Sequence, residues 1–365
     1  MAHIQEREGR GWVARYRTPD GRERSKTFKR KADAERFLNQ TEVDKARGEW
    51  VDPRLGRITF AEWTKTYVAT TTDLRPSTRA RDESLLKNHL IPAFGHSSLT
   101  AIDHMAVRTW VADLSARLKP ASVHKAFQLL SKILRSAVDA GLIAKNPAER
   151  VPLPRKEQDE MRFLTPSDVQ ELADAMDSRY RAVVVTAAYT GLRIGELLAL
   201  RRSKVDLLRR RITVVETLVE VKGHLIFNPP KTAKGVRAVP MPNVVAKELE
   251  RHLLSYGDSA PDSLVFAAPE GGPIRLSLWR RRFFLPALGR AGIEKARIHD
   301  LRHTAVAFWI AAEASPVDIA NRAGHSSVSV VLDRYGHLLP GTEDKVTNAL
   351  DAMALQVSQG ARNRR

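Results

Sequence analysis

The stretch "NPAERVPLPRKEQDEMRF", Asn146 to Phe163, constrains the architecture most: three prolines and a dense charge run can neither continue a helix nor fill a sheet. Proline removes a backbone donor, and closely spaced charges resist burial. The chain therefore divides here, with a linker at 151–162 and separate folding blocks on either side. Of its 365 residues 43% are apolar, so each block is large enough to bury a core of its own.

Two blocks are legible before the linker. In residues 1–57, "GWVARYR" alternates Trp12, Ala14 and Tyr16 against Val13, Arg15 and Arg17. "TPDG" marks a turn and "RERSKTF" a second strand, which predicts a hairpin. "KADAERFLNQTEVDKAR" then turns helical, with Ala34, Phe37, Leu38 and Thr41 on one side. Residues 58–150 read as all-helical. Phe60, Trp63 and Tyr67 recur at helical spacing, as do Met105, Trp110, Val111 and Leu114, and Val123, Phe127, Leu130, Leu134 and Val138. These stripes are core and carry no chemistry.

After the linker, "LTPSDVQELADAM" opens a helix with Thr165 as N-cap and Pro166 at its first position. "YRAVVVTAAYTG" is apolar enough for a buried helix, and Gly191 ends it. The segment "RITVVETLVEVKGHLIFNPPKTAKGVRAVPMP" alternates as strands, with turns at Lys222-Gly223 and at "PPKTAKG". In "NRAGHSSVSVVLDRYGHLLP" a short helix with Val328, Val331 and Leu332 inward carries Tyr335 near its end. The tail, 343–365, gives Val346, Leu350, Met353 and Val357 as one apolar stripe, suited to docking on a neighbouring subunit or on its own domain.

Charge narrows the partner. Sixty Lys and Arg against 42 Asp and Glu leave a formal charge of +18, which points to a polyanion. The excess is basic in each of the stretches 1–57, 58–155 and 156–365, so several modules are expected to grip the same nucleic acid as a clamp. Arg15, Arg17, Arg24 and Lys26 stud the small N-terminal sheet, which could enter a groove as β-ribbons do. No apolar run approaches a membrane span and "MAHIQEREGRGW" has no signal-peptide core, so a cytoplasmic protein is expected. With no cysteine in the chain, thiolate chemistry and Cys-ligated zinc are excluded. No cluster of carboxylates suits Mg²⁺.

Chemistry gathers in the block after the linker. Arg193 in "TGLRIGEL" sits in a turn with Glu196 three residues on, an arrangement that fixes a guanidinium for bidentate contact with phosphate. In "HDLRHTAVAF", His299, Arg302 and His303 fall together on a first helical turn, as suits an anion. Lys231 and Lys234 occupy a connection where a lysine can act as a mobile proton donor.

Arg193, Lys231 in "PKTAKG", His299 and Arg302 in "HDLRH", His325 in "AGHSS" and Tyr335 in "DRYGHL" occur in the order found in tyrosine site-specific recombinases. The chain resembles the phage integrase branch of that family over essentially its whole length. The resemblance implies an arm-type DNA-binding module (1–57) of small β-sheet plus helix, an all-α, SAM-like core-binding domain (58–150) and a mainly α catalytic domain (163–342) with a small antiparallel sheet. It also implies Tyr335 as nucleophile, giving a 3′-phosphotyrosine and a free 5′-hydroxyl without metal or cofactor. Arg193, Arg302 and His325 would stabilise charge on the nonbridging oxygens, Lys231 would protonate the leaving 5′ oxygen, and His299 would accept the tyrosine proton. His303 reads as a structural neighbour. Implied partners are core- and arm-type attachment sites on double-stranded DNA, three further protomers in a tetramer, a host DNA-bending factor and an excision directionality protein. A chromosome-dimer-resolving recombinase, a type IB topoisomerase or a non-catalytic DNA-binding regulator on the same scaffold are the alternatives. The complete residue set argues against the last, because a binder has no use for a positioned nucleophile.

Overall fold

The computed structural model describes residues 3–7, 11–18, 21–46, 55–156, 161–231, 233–339, 347–348 and 350–351. The chain separates into two compact units, Met1–Gln158 and Asp159–Arg365.

The first unit opens with a three-stranded antiparallel sheet, β1 (His3–Arg7), β2 (Gly11–Arg17) and β3 (Glu23–Phe28), followed by α1 (Lys31–Ala46). Strand β1 is absent from the sequence reading because "HIQER" has only Ile4 to mark an inward face; pairing with β2 makes the strand. Ala14, Tyr16, Ala34 and Leu38 form a small buried cluster between sheet and helix. The β2–β3 register sets Arg15 opposite Ser25, Arg17 opposite Glu23, Ala14 opposite Lys26 and Tyr16 opposite Arg24. Directly opposed residues share a face and successive residues alternate. Arg15 and Arg17 thus lie on one face, while Arg24 and Lys26 share the helix-covered face of Ala14 and Tyr16.

The helices of this unit are α2 (Phe60–Thr70), α3 (Pro76–Leu85), α4 (Ile91–Phe94), α5 (His104–Ser115) and α6 (Pro120–Asp139). A capping box between Thr59 and Glu62 starts α2. A π turn at Leu86–Leu90 joins α3 to α4, so the helical path runs through Pro92 to its end at Gly95. Phe60, Leu90, Trp110, Leu130 and Leu134 are buried in one helical core, whereas Met105, expected in the stripe of α5, is exposed. Val151 is buried against this core, and His124 Nε2 lies 2.9 Å from the Pro154 carbonyl.

The second unit runs α7 (Pro166–Ala175), α8 (Arg181–Thr190), α9 (Ile194–Leu198), β4 (Val205–Asp206), β5 (Arg211–Val214), β6 (Thr217–Val221), β7 (His224–Asn228), β8 (Arg237–Pro240) and α10 (Asn243–Tyr256). It continues with α11 (Leu276–Trp279), α12 (Leu285–Arg290), α13 (Ile298–Ala311), α14 (Pro316–Ala323) and α15 (Ser329–Tyr335). Thr165 caps α7, with Pro166 in its first turn. Helix α8 is buried on nearly every side and packs on α10 and α13, which explains its unbroken apolar run. The strands do not form one meander: β4-β5-β8 make one sheet and β6-β7 a separate hairpin turning at Lys222 (φ 48°) and Gly223 (φ 81°). In α15 Val331 is buried but Leu332 is exposed, contrary to the stripe expected there. Of the tail stripe, Leu350 is exposed, and Val346, Met353 and Val357 lie outside the described residues.

Candidate active site

Gly191 ends α8 at φ 61°, a conformation that costs other residues dearly, and a Cβ there would lie 2.6 Å from the Trp309 ring. The reversal places Arg193 as N-cap of α9, where its backbone N–H donates to Glu196 at 3.0 Å and its Nη1 to the same carboxylate at 2.7 Å. Its Nη2 donates to the Gly324 carbonyl at 3.0 Å. The sequence reading missed a second partner of Glu196: Arg237 on β8 donates Nη1 at 3.2 Å and Nη2 at 2.9 Å to its two oxygens. Its Nε donates to the Arg322 carbonyl at 2.8 Å. Arg237 shares the inward face of β8 with the buried Val239, and that parity was the available signal. Burial pushes the Glu196 carboxyl up, but bonds from Arg237 and the Arg237 and Arg193 charges outweigh it and leave its pKa lowered.

Arg302 projects from α13 and is 4% exposed. Its Nη1 donates to the Gly191 carbonyl at 2.5 Å and its Nη2 to the Ala323 carbonyl at 2.6 Å. Burial and the neighbouring Arg193 charge push it down to about 9, which leaves it charged at neutral pH. Three arginines from three elements therefore hold the successive carbonyls of residues 322, 323 and 324 at the end of α14. The C-terminus of a helix, with unpaired carbonyls and partial negative charge, suits them. His325 follows directly, and its pKa is pushed to about 4 by burial and the Arg302 and Arg193 charges. The neutral imidazole keeps one N–H to donate.

The last turn of α15 delivers Tyr335, 1% exposed. Burial raises its pKa against the pull of Arg302 and Arg334, so the hydroxyl keeps its proton at neutral pH. That hydroxyl is 2.6 Å from Nδ1 of His303, not from His299. His299 sits partly exposed at the start of α13, its ring edge to face with His303 at 4.7 Å, and partial desolvation by the surrounding protein, with the Arg302 charge, lowers its pKa. The contact with the tyrosine hydroxyl expected of His299 is made, in this geometry, by the neighbour that read as structural.

Six of the expected residues converge: Arg193, Glu196, Arg302, His325, Tyr335 and, at the rim, His299. Lys231 is exposed on the β7–β8 connection, and it is Lys234 whose Nζ reaches the loop after His325, donating to the Ser326 carbonyl at 3.1 Å. In the other unit, Arg15 is 3.3 Å from Glu23, and Lys26 Nζ stands over the Phe37 ring at 4.9 Å, so only the face bearing Arg15 and Arg17 lies clear of the helix.

Residues 162–341 match the profile described as phage integrase family, and residues 59–115 that of the phage integrase N-terminal SAM-like domain. The chain belongs to the phage integrase family. Among relatives, a prophage phiRv2 integrase of Mycobacterium tuberculosis is 29% identical over 361 residues, 94% of this chain and 93% of that protein. The integrase of Mycobacterium phage L5 is 24% identical over 339 residues, 90% of each chain. The fold is shared with the Tn1549 transposon integrase in complex with a circular intermediate DNA, with TM-score 0.70, 18% identity, and 81% of this chain and 99% of that one covered. A lambda integrase tetramer bound to a Holliday junction gives TM-score 0.55 at 18% identity over 89% of this chain and 92% of that one. This integrase is thus a tyrosine recombinase, an enzyme of DNA strand transfer.

Proposed function

We propose that this integrase inserts and excises a mobile genome at attachment sites, cutting each strand through a phosphotyrosine on Tyr335. The observation that carries this reading is the meeting of Arg193, Arg302 and His325 around the end of α14, within one unit that also buries Tyr335. A scissile phosphate held by Arg193 and Arg302 gains charge on its nonbridging oxygens as Tyr335 attacks. Donors already fixed by protein carbonyls and a carboxylate stabilise that charge without reorganising. The phosphotyrosine keeps the phosphodiester bond energy, so a second 5′-hydroxyl reseals the strand without ATP. Lys231, on an exposed segment, is suited to protonating the departing oxygen once DNA lies over it. Exchange of two strand pairs calls for four protomers on paired core sites, with a four-way junction between the exchanges. Residues 1–57 are assigned a separate arm site, met through the Arg15 and Arg17 face.

The test uses plasmids carrying the DNA that flanks the gene, scored for recombinant junctions, beside a nicked suicide substrate scored for covalent adduct. The parent should give both. Tyr335→Phe should bind the same DNA within a few-fold and give neither; adduct formation by Tyr335→Phe would remove Tyr335 from its role. Relaxation of supercoiled plasmids lacking any second site, with no recombinant product, would instead favour a topoisomerase.

A further inference from the structure

The contact between Tyr335 and His303 has no part in the reading above. Both side chains are buried, at 1% and 5% exposure, and come from α15 and α13. Their 2.6 Å separation is at the short end for a hydroxyl bonded to nitrogen. Arg302, on the same turn of α13, acts electrostatically on the same tyrosine, which places the pair beside the cup.

We infer that His303 is a further catalytic residue, the acceptor of the Tyr335 proton during attack on phosphorus; this rests on the recombinase reading of the site. The imidazole presents Nδ1 unprotonated to the hydroxyl, with its proton on Nε2. As the Tyr335 oxygen bonds to phosphorus, its O–H bond breaks and the proton passes to Nδ1. The bond from phosphorus to the 5′ oxygen breaks with its electron pair on oxygen, and that oxygen takes a proton from Lys231. Resealing runs the same transfers backwards, with His303 returning the proton to the phenol.

The surroundings explain how such a base stays idle until needed. The groups facing His303 are His299, Asp300 and Arg297 on or beside α13, and Arg334 and Tyr335 on α15. Burial first, then the His299 ring, push the His303 pKa down to about 4, so the protein alone leaves the proton on the phenol. A DNA phosphate in the cup adds negative charge to a surrounding dominated by arginines and raises the basicity of the imidazole where it is required. The nucleophile is activated by its own substrate.

The experiment compares His303→Asn with the full-length parent on the suicide substrate in single turnover, across pH 6 to 10. Asn reaches as far as Nδ1 and hydrogen-bonds the phenol but takes no proton. Cleavage should fall about 100- to 10,000-fold, with core-site binding and the unfolding midpoint close to the parent's. The parent rate should rise with pH to a plateau, whereas that of His303→Asn should keep rising with hydroxide. A bridging 5′-sulfur at the scissile phosphate, which leaves without protonation, should restore Lys231→Ala and not His303→Asn. Should the Asn variant fold poorly, His303→Ala with added imidazole supplies the second measurement, and dose-dependent recovery of adduct is expected. The inference is overturned if His303→Asn cleaves within about threefold of the parent with the same pH profile, or if imidazole restores nothing to folded His303→Ala. A parent that forms no adduct on any core site would be a different failure, that of the recombinase reading.

Discussion

Glu196→Gln isolates what holds the arginine cup together. The carboxylate is 5% exposed and faces Arg237, whose side chain is 8% exposed, and Arg193, whose side chain is 43% exposed. The Arg193 pair, wetted by solvent, contributes at most about 1 kcal/mol. The Arg237 pair dominates, because removing one partner of a buried ion pair strands the other and costs about 3–5 kcal/mol. The amide keeps one acceptor oxygen, so the expected loss at pH 7 lies near the lower end, about 3 kcal/mol. For a unit of this size that lowers the midpoint of thermal unfolding by about 6–12 °C. The sign with pH follows from the lowered pKa of Glu196: its contribution is complete above the unfolded value near 4.5 and fades as pH falls through the folded value. Parent and variant should therefore converge in acid. Urea unfolding of both proteins at pH 7, 5 and about 3 measures this, and a gap that stays constant across the series, or is below about 1 kcal/mol at pH 7, would refute the electrostatic account.

Further outcomes follow from the same geometry. Arg193→Lys and Arg302→Lys keep charge but lose the planar fork, and adduct formation should drop by orders of magnitude while DNA retention in a gel shift changes little. Gly324→Ala places a methyl 2.9 Å from Arg237 Nη1 at φ 63°, so it should destabilise by at least about 1–2 kcal/mol in calorimetry. Deleting residues 1–57 should leave adduct formation on a short core site detectable but abolish recombination that depends on flanking arm sequences, as footprinting would show by lost flanking protection. Arg15→Ala with Arg17→Ala should flatten the salt dependence of arm binding by about two in log–log slope, whereas Lys26→Ala, on the helix side, should flatten it less.

Local chemistry was legible where a residue and its partner are near neighbours. Thr165 and Pro166 announced α7, Gly191 announced the end of α8, and Arg193 found Glu196 three residues away. Contacts closed by the fold were not. Glu196 and Arg237 are 41 positions apart, and His303 and Tyr335 are 32 apart, so no helical or strand period connects them. Nor did pattern alone decide where a stripe stops: Met105 and Leu332 are apolar and in phase, yet packing leaves both at the surface. The four basic residues of the N-terminal sheet looked equivalent because composition ignores register, and register set two on each face.

The end of α14 carries one more consequence. Three guanidinium groups crowd onto consecutive carbonyls with, among the described residues, the Glu196 carboxylate bonded to two of them, and the helix end offers only about half an elementary charge more. Positive charge is left over by construction, and on the proposed reading the backbone of DNA is the counterion that would complete it. Affinity for the scissile phosphate and rigidity of the site are therefore linked quantities: whatever occupies the cup also relieves repulsion inside it. On the proposed reading, the unit should be stiffest while it holds the strand it cuts, and slower amide exchange at the end of α14 on core-site binding is the expected sign.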